Sequence, residues 1–537
     1  MRILICSDTP RDGWAIGKLS DAIIKKNQGV NIDFVAVHPK EVDRDIADFR
    51  KQLAKKPDLI HFQYWRSTKQ LFEKIPELKN FKTICTHHNQ KNTLSVDWKE
   101  LNINWHITHT EKNKKILNDA GYDNVSVIQH GIDLNYFKYF REYKGDTNYV
   151  GYVGRVCPWK NLKGIAEATN KNGLRVLAMG RLDKPSYWET IALEDRNIID
   201  FLYQNVPDKE RINAYYEMMC FVQNSNDNHE EGTLPLLEAM ACGIPVITTL
   251  SGEGADIIVD NENGLIVPFD NVDALRVKIK LLQDDPELRA KLRKNAWNTI
   301  KNFTEEKMAR EYLKIYYKTL MGTETVSVIT PVYNDLDNLK KIYESLKNQT
   351  YKIIEWIIVD DNSKDNIKDL YTFIKEIRGK APFVVKYLNT KRDGYNLAMA
   401  RNMGIIEASG KYIMLLDSRI NPSKTAVQEF IQKIRMCNAH NGCGCWIWGD
   451  KGADKRTFVE NFSFVERSDL IKAGMFCERI NRYGGMSQEI RERWLAQGNS
   501  FEYCRKSKSI AIGKSSMTNE RRQDIIKSKF KLYKMGL

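Results

Sequence analysis

The chain has 537 residues, 42% of them hydrophobic and 28% charged, which exceeds what one hydrophobic core organises and excludes wholesale disorder. No apolar run approaches the roughly 18 residues of a membrane-spanning helix, and the opening MRILICSDTP breaks at Ser7, Asp8, Thr9 and Pro10 before a signal-peptide core is reached, so a cytoplasmic location is expected. The net charge of +14 is uneven: residues 505–537 hold ten Lys or Arg against two acidic residues, a basic tail suited to peripheral contact with an anionic membrane or nucleic acid, or to being a solvated helix face.

From the amino terminus, short β-rich runs alternate with helical stretches: MRILICS, NIDFVAV, DLIHFQ, FKTICTH, NINWHITH and VSVIQH. A second series follows with NYVGYVG, LRVLAMG, IIDFLY, CFVQNS, IPVITT and GLIVP. Such alternation predicts parallel β/α units, with ligands at the carboxyl ends of the strands. Two Rossmann-like lobes are expected, at about 1–140 and 146–305, joined near Phe137 to Asn148. Helical patterns then run to 320 and close a first domain, 1–322. After the polar break at 321–324 a third series begins, TVSVITPVYN, IEWIIVDDNS, FVVKYLN and YIMLLDS, which predicts another α/β domain over 325–537. Strand signals thin out after Pro422. Ten cysteines lack metal-type spacing; Cys443-Gly-Cys445 is the one close pair, and reduced thiols are expected.

Arg155 and Lys160 follow the strand that ends at Gly154 and precede a helix, an arrangement suited to a diphosphate. Downstream, HEEGTLPLLEAMACGIPVITT places Glu230 and Glu238 seven residues apart. This segment resembles the retaining GT-B glycosyltransferases of family four, with their Glu-x7-Glu motif, and the resemblance spans essentially residues 1–320. It implies that Glu230 lies near the donor sugar, Glu238 binds the nucleotide ribose, and Gly154, Arg155 and Lys160 hold the diphosphate. VIQHGIDLNYF resembles the family's interlobe segment with His130 in place of Asn, and DGWAIGKLSDAI resembles its glycine loop, with Gly13 and Gly17 bordering the phosphates. Asn161 stands where the family often has Gly, and Glu231-Gly232-Thr233 alters its usual Gly-x-Gly. His87 and His88, at a strand end, are candidates for contact with sugar or acceptor, as is Arg66. The resemblance implies no cofactor for this domain.

VSVITPVYNDLDNLKKIYESLKNQTYKIIEWIIVDDNSKD is similar to the opening of the inverting GT-A family two, which implies nucleotide binding by Pro331, Tyr333, Asp360 and Asp361. The similarity continues through Asn389, Gly394, Ala400-Arg401-Asn402 and Gly404. GT-A enzymes hold a divalent cation, Mg or Mn, with Asp-x-Asp; here Asp417-Ser418-Arg419 leaves Asp417 as a metal ligand or Arg419 as a metal-free substitute against phosphate. Met486-Ser487 falls on the family's Glu-Asp base, which leaves Glu489, or Glu478, to act as base. The expected function is sugar transfer from a nucleotide-sugar donor to a glycan or lipid-linked acceptor, with a second transfer or acceptor holding by the carboxyl domain. The alternatives are a nucleic-acid sugar transferase and a sugar-binding scaffold.

Overall fold

The computed structural model describes all residues except 13–14, 140–142, 144–146, 204–207, 323, 442–443, 452–457, 459, 481–485 and 514–537. Gly13, Cys443 and the basic tail from 514 onward therefore lie outside the described residues. The chain forms two compact units, Met1–Lys26 with Asn31–Tyr312, and Asn27–Val30 with Leu313–Leu537. Their division falls inside the helix Glu305–Met321. Among the described residues no helix is long and apolar enough to cross a membrane.

The first unit holds two six-stranded sheets. The first runs in the order Asn31–Ala36, Arg2–Ser7, Leu59–Phe62, Lys82–Thr86, Trp105–Thr108, Val125–Val127, every pair parallel. The second is also parallel throughout, ordered Leu265–Ile266, Val246–Thr248, Met218–Gln223, Tyr149–Val153, Arg175–Gly180, Ile199–Tyr203. Central strands such as Leu59–Phe62 and Met218–Gln223 are buried at every residue because helices cover both faces, so they read as continuous apolar runs. In the second sheet Leu236, Met240 and Val246 pack on one face, Ile165, Ala178 and Leu275 on the other. The helix Leu234–Cys242 starts on Pro235, whose missing N–H costs nothing in the first turn, and stops at Gly243, which adopts φ 76°.

The second unit is built on one eight-stranded sheet. Val384–Asn389, Glu355–Asp360, Val326–Val332 and Tyr412–Leu416 are parallel neighbours in that order. Phe462–Glu466 then adds antiparallel, followed by Cys445–Asp450, Ser500–Ala511 and Ile420–Pro422. Three of these strands lie beyond Pro422, where the sequence pattern was faint. Ser500–Ala511 shows why: Cys504, Ser507 and Ser509 are its buried residues, while Arg505, Lys506 and Lys508 are exposed. Small polar residues line the covered side because the helix Ala426–Asn441 approaches closely, with Ser507 Oγ donating to Ala426 O at 3.0 Å. The described start of the basic tail is thus the outer face of a strand.

On the helix Leu397–Glu407, Gly404 lies against the strand Val326–Val332, where an added Cβ would fall 2.4 Å from Ile329 Cγ2. Gly404→Ala is expected to destabilise the protein by about 1–3 kcal/mol. In urea unfolding, the double variant with Ile329→Ala should lose less than the sum of the two single losses; additive losses would show that the helix does not approach the strand this closely.

Candidate functional site

The carboxyl edge of the second sheet is crowded by backbone. A Cβ on Gly180 would fall 1.7 Å from Gly154 O, so the strand ends Tyr149–Val153 and Arg175–Gly180 meet where only glycine fits. The chain then turns through Pro158–Lys160 into the helix Leu162–Asn170. Asn161 caps that helix in the left-handed region at φ 46°, its side chain accepting from Gly164 N at 3.1 Å. Its departure from glycine therefore preserves the backbone, since asparagine tolerates this conformation and supplies a cap.

This turn aims Lys160 at Glu230. The ammonium lies 2.8 and 2.9 Å from the two carboxylate oxygens, and both side chains are largely buried. Arg155, on the same turn, stacks over Trp159 at 5.6 Å with Nη1 3.4 Å from Asp183, leaving its guanidinium half-exposed. Glu238 follows on the helix Leu234–Cys242, buried, accepting from Tyr215 OH at 2.7 Å with Arg211 Nη1 3.9 Å away. Burial, with Glu238 beside it, holds the Tyr215 phenol well above the ordinary range.

Glu238 lines a cleft of about 530 Å³ that also touches Arg11, Lys18, His130, Asp133 and Arg211. Gly17 sets the helix Ala15–Lys26 against the loop that closes one side, for a Cβ there would fall 1.9 Å from Pro10 O. Asp8 follows the strand Arg2–Ser7, and burial pushes its carboxyl up to about 6 while Oδ1 has no hydrogen-bond partner among the described residues. The protonated form is favoured by the fold, so this contribution is full below about pH 4 and is lost as pH rises through about 6. Asp8→Asn is expected to gain stability relative to the natural protein between about pH 4 and pH 7, by about 1–3 kcal/mol. Parallel thermal melts across that range check this; a constant difference would place Asp8 in water.

The histidine pair divides. His87 is buried, Nε2 3.0 Å from His106 Nδ1 and edge-on to Trp98. His88 faces the other way, Nδ1 3.1 Å from His109 Nε2. Arg66 stacks over Trp65 at 4.9 Å.

The sequence reading missed what surrounds His88. His109 and His130 lie ring against ring, with centroids 3.9 Å apart. Glu231 is buried and accepts from the backbone N–H of His109 at 2.8 Å and of Thr110 at 3.2 Å, capping the helix Glu111–Asp119 of the opposite lobe. Glu253 is buried and accepts from His130 N at 2.5 Å and Thr233 N at 3.2 Å. Gly232 is needed between them, because a Cβ would fall 2.2 Å from His130 Cε1. Burial pushes Glu231 up to about 8. The surplus of carboxylates over nearby cations in HEEGT was the available signal.

In the second unit the strand ends again gather carboxylates. Asp360 accepts from Tyr387 OH at 2.7 Å, Asn389 Nδ2 at 2.8 Å, and Ser363 N at 2.9 Å. Asp361 accepts from Asn396 N at 2.9 Å and Thr390 Oγ1 at 3.1 Å. Pro331 is buried in the strand Val326–Val332, and Tyr333, just beyond it, is exposed. Arg401 is buried, with Nη2 3.0 Å from Asp417 and Nη1 3.1 Å from Glu460. Burial raises Asp417 and the Arg401 charge opposes that rise. The Asp417 carboxylate thus already holds a cation, whereas the Arg419 side chain is exposed. Ser487, on the helix Met486–Ala496, donates to Glu460, a carboxylate the sequence did not single out. Glu489 is buried and paired with Arg493 at 2.7 Å, one helical turn away. Glu478 accepts from Asn402 Nδ2 at 3.0 Å.

Comparison with known proteins bears on both units. Residues 138–299 match the family described as glycosyl transferases group 1, and residues 327–501 match glycosyl transferase family 2. Over 119 residues, 22% of this chain and 19% of the relative, there is 37% identity to an uncharacterized glycosyltransferase of Rickettsia felis. Over 153 residues, 28% of this chain and 45% of the relative, there is 35% identity to the poly(ribitol-phosphate) beta-N-acetylglucosaminyltransferase TarP of Staphylococcus aureus. The matches therefore span less than half the length of these relatives. The crystal structure of Anabaena Alr3699/HepE in complex with UDP-glucose is similar over 59% of this chain and 100% of that one, with a TM-score of 0.50 and 16% identity, a likeness of fold alone. The chain is a two-domain glycosyltransferase fusion, a GT-B-like segment of group 1 followed by a GT-A-like segment of family 2.

Proposed function

We propose that the protein transfers a sugar from a nucleotide-sugar donor to a glycan or lipid-linked acceptor, and that the chemistry takes place in the first unit. The observation that carries this reading is the buried Lys160–Glu230 pair at the strand edge that also bears Arg155, on the same lobe as Glu238 at the cleft wall. Arg155 and Lys160 neutralise the diphosphate that leaves, each charge-assisted bond contributing about 1.5–3 kcal/mol. Glu238, oriented by Tyr215, accepts from the ribose hydroxyls. Glu230 positions the sugar and sets the direction of the Lys160 ammonium. The bond from the anomeric carbon to the diphosphate oxygen breaks, the acceptor oxygen bonds to that carbon on the same face, and the acceptor proton passes to the departing diphosphate. No separate enzyme base is then required, and the configuration is retained.

The carboxyl unit on this reading holds the acceptor rather than performing a second transfer. The Asp417–Arg401 and Glu489–Arg493 pairs support that choice, because each commits a carboxylate that metal binding or base catalysis would need free. TarP, by its name, acts on poly(ribitol-phosphate), and a phosphate-rich acceptor of that kind would suit a basic carboxyl unit.

Release of nucleoside diphosphate from a panel of nucleotide sugars, with and without manganese, tests both points. Lys160→Ala is expected to lower kcat by about 10²–10³-fold. Glu238→Gln should chiefly raise the donor KM, by about 10–100-fold, the equivalent of one charge-assisted bond. Asp417→Ala should leave release unchanged in either condition. Manganese-dependent release abolished by Asp417→Ala would instead establish a second transferase site, and release unaffected by Lys160→Ala would remove the first unit as the catalyst. A steep fall of acceptor binding with salt would point to a polyanionic acceptor, phosphate-rich glycan and nucleic acid alike.

A further inference from the structure

His88, His109 and His130 each present one ring nitrogen to a common point, the three atoms lying within 4.8 Å of one another. In His109 and His88 the other ring nitrogen is hydrogen-bonded to an oxygen. His109 Nδ1 is 2.7 Å from Ile128 O, and a carbonyl only accepts, so the proton sits on Nδ1 and Nε2 carries a lone pair. His88 Nε2 is 3.0 Å from Gln63 Oε1, and with the amide in this orientation the proton is on Nε2 and the lone pair on Nδ1. His130 Nδ1 is 3.0 Å from Glu253 Oε2, near it without a hydrogen bond. His88 Nδ1 and His109 Nε2 thus face each other across 3.1 Å, a spacing that a shared proton or a shared metal ion satisfies.

Two carboxylates lie beside the imidazoles. Glu231 and Glu253 are buried, 1% and 0% exposed, and among the described residues neither has a Lys or Arg within 4.0 Å. Both are met by N–H donors, Glu231 by those of His109 and Thr110 and Glu253 by those of His130 and Thr233, and a cation held by the imidazoles adds an opposite charge beside them. Oxygen acceptors on the outer nitrogens are also what metal-bound histidines use to fix ring orientation and basicity.

We propose that His88, His109 and His130 bind a divalent transition metal, zinc by the chemistry of three neutral imidazoles, with Gln63, Ile128 O and Glu253 as the outer partners. Zinc–nitrogen bonds of about 2.0–2.1 Å at a tetrahedral angle separate the nitrogens by about 3.3 Å; His88 and His109 stand at 3.1 Å, whereas the three nitrogens together are gathered only within 4.8 Å, so the His130 ring swings toward the other two when all three hold the ion. The ion ties the strand ends after Lys82–Thr86 and Trp105–Thr108 to the segment that crosses between lobes, and through Glu253 to the second lobe. Its fourth position is left to water or to a ligand entering the cleft that His130 lines.

The test uses the full chain without an affinity tag, stripped with a chelator and titrated with zinc against a chromophoric competitor. The expected result is one equivalent per chain. Cobalt should give the visible absorption of a tetrahedral nitrogen site without the thiolate charge-transfer band that cysteine ligation produces. His109→Gln and His130→Asn should abolish the stoichiometric site, and Glu253→Gln should weaken it by about 10–100-fold. Because a ligand variant can fail to fold, the cobalt spectrum of the unaltered protein is the second, independent readout. Absence of stoichiometric zinc and of the cobalt band in the natural chain, or zinc binding undiminished in folded His109→Gln and His130→Asn, overturns the proposal. Neither readout depends on sugar transfer, so failure of the metal site and failure of the transferase reading are distinguishable.

Discussion

A carboxylate withdrawn from water has to be met by a cation or by several hydrogen-bond donors, and the site-bearing loops of both units are arranged around that demand. Glu230 is met by Lys160, Glu238 by Tyr215, Glu231 by the start of a helix, and Glu253 by the backbone around His130. In the carboxyl unit Asp360 is met by Tyr387 and Asn389, and Asp417 by Arg401. Parallel sheets make this concentration possible, since they deliver successive loops to the same edge while helices cover both faces.

The two units answer the demand differently, and the difference bears on chemistry. In the first, Lys160 and Arg155 approach from a turn shaped by the contact of Gly154 with Gly180, and the Arg155 guanidinium remains half-exposed. Such a turn can exchange a carboxylate partner for a phosphate. In the second, Arg401 is enclosed between Asp417 and Glu460, with its charge already balanced by protein.

Much of the fold was legible in advance because the parallel strands are buried on both faces, so runs such as LIHF and MMCFVQ stand out as apolar. The strand Ser500–Ala511 was not legible, because small serines rather than large apolar residues fill its covered side. At the candidate site, Glu230, Glu238, Arg155 and Lys160 were singled out through a motif with fixed spacing and the family resemblance it carries. Glu460 belongs to no such motif, and its meeting with Arg401 joins positions 59 residues apart.

The sequence by itself determined the alternation of strands and helices, the presence of two different glycosyltransferase segments and the residue types suited to a diphosphate and a ribose. Those are properties of periodicity and local spacing, which a chain carries whether or not it is folded. Only the tertiary structure decided that His87 turns into the core while His88 turns toward His109 and His130, that Glu231 serves a helix from the other lobe, and that Asp417 is already paired. Each of these depends on which side of a strand a side chain leaves and on what a distant loop places opposite it, and no local pattern of residues encodes that.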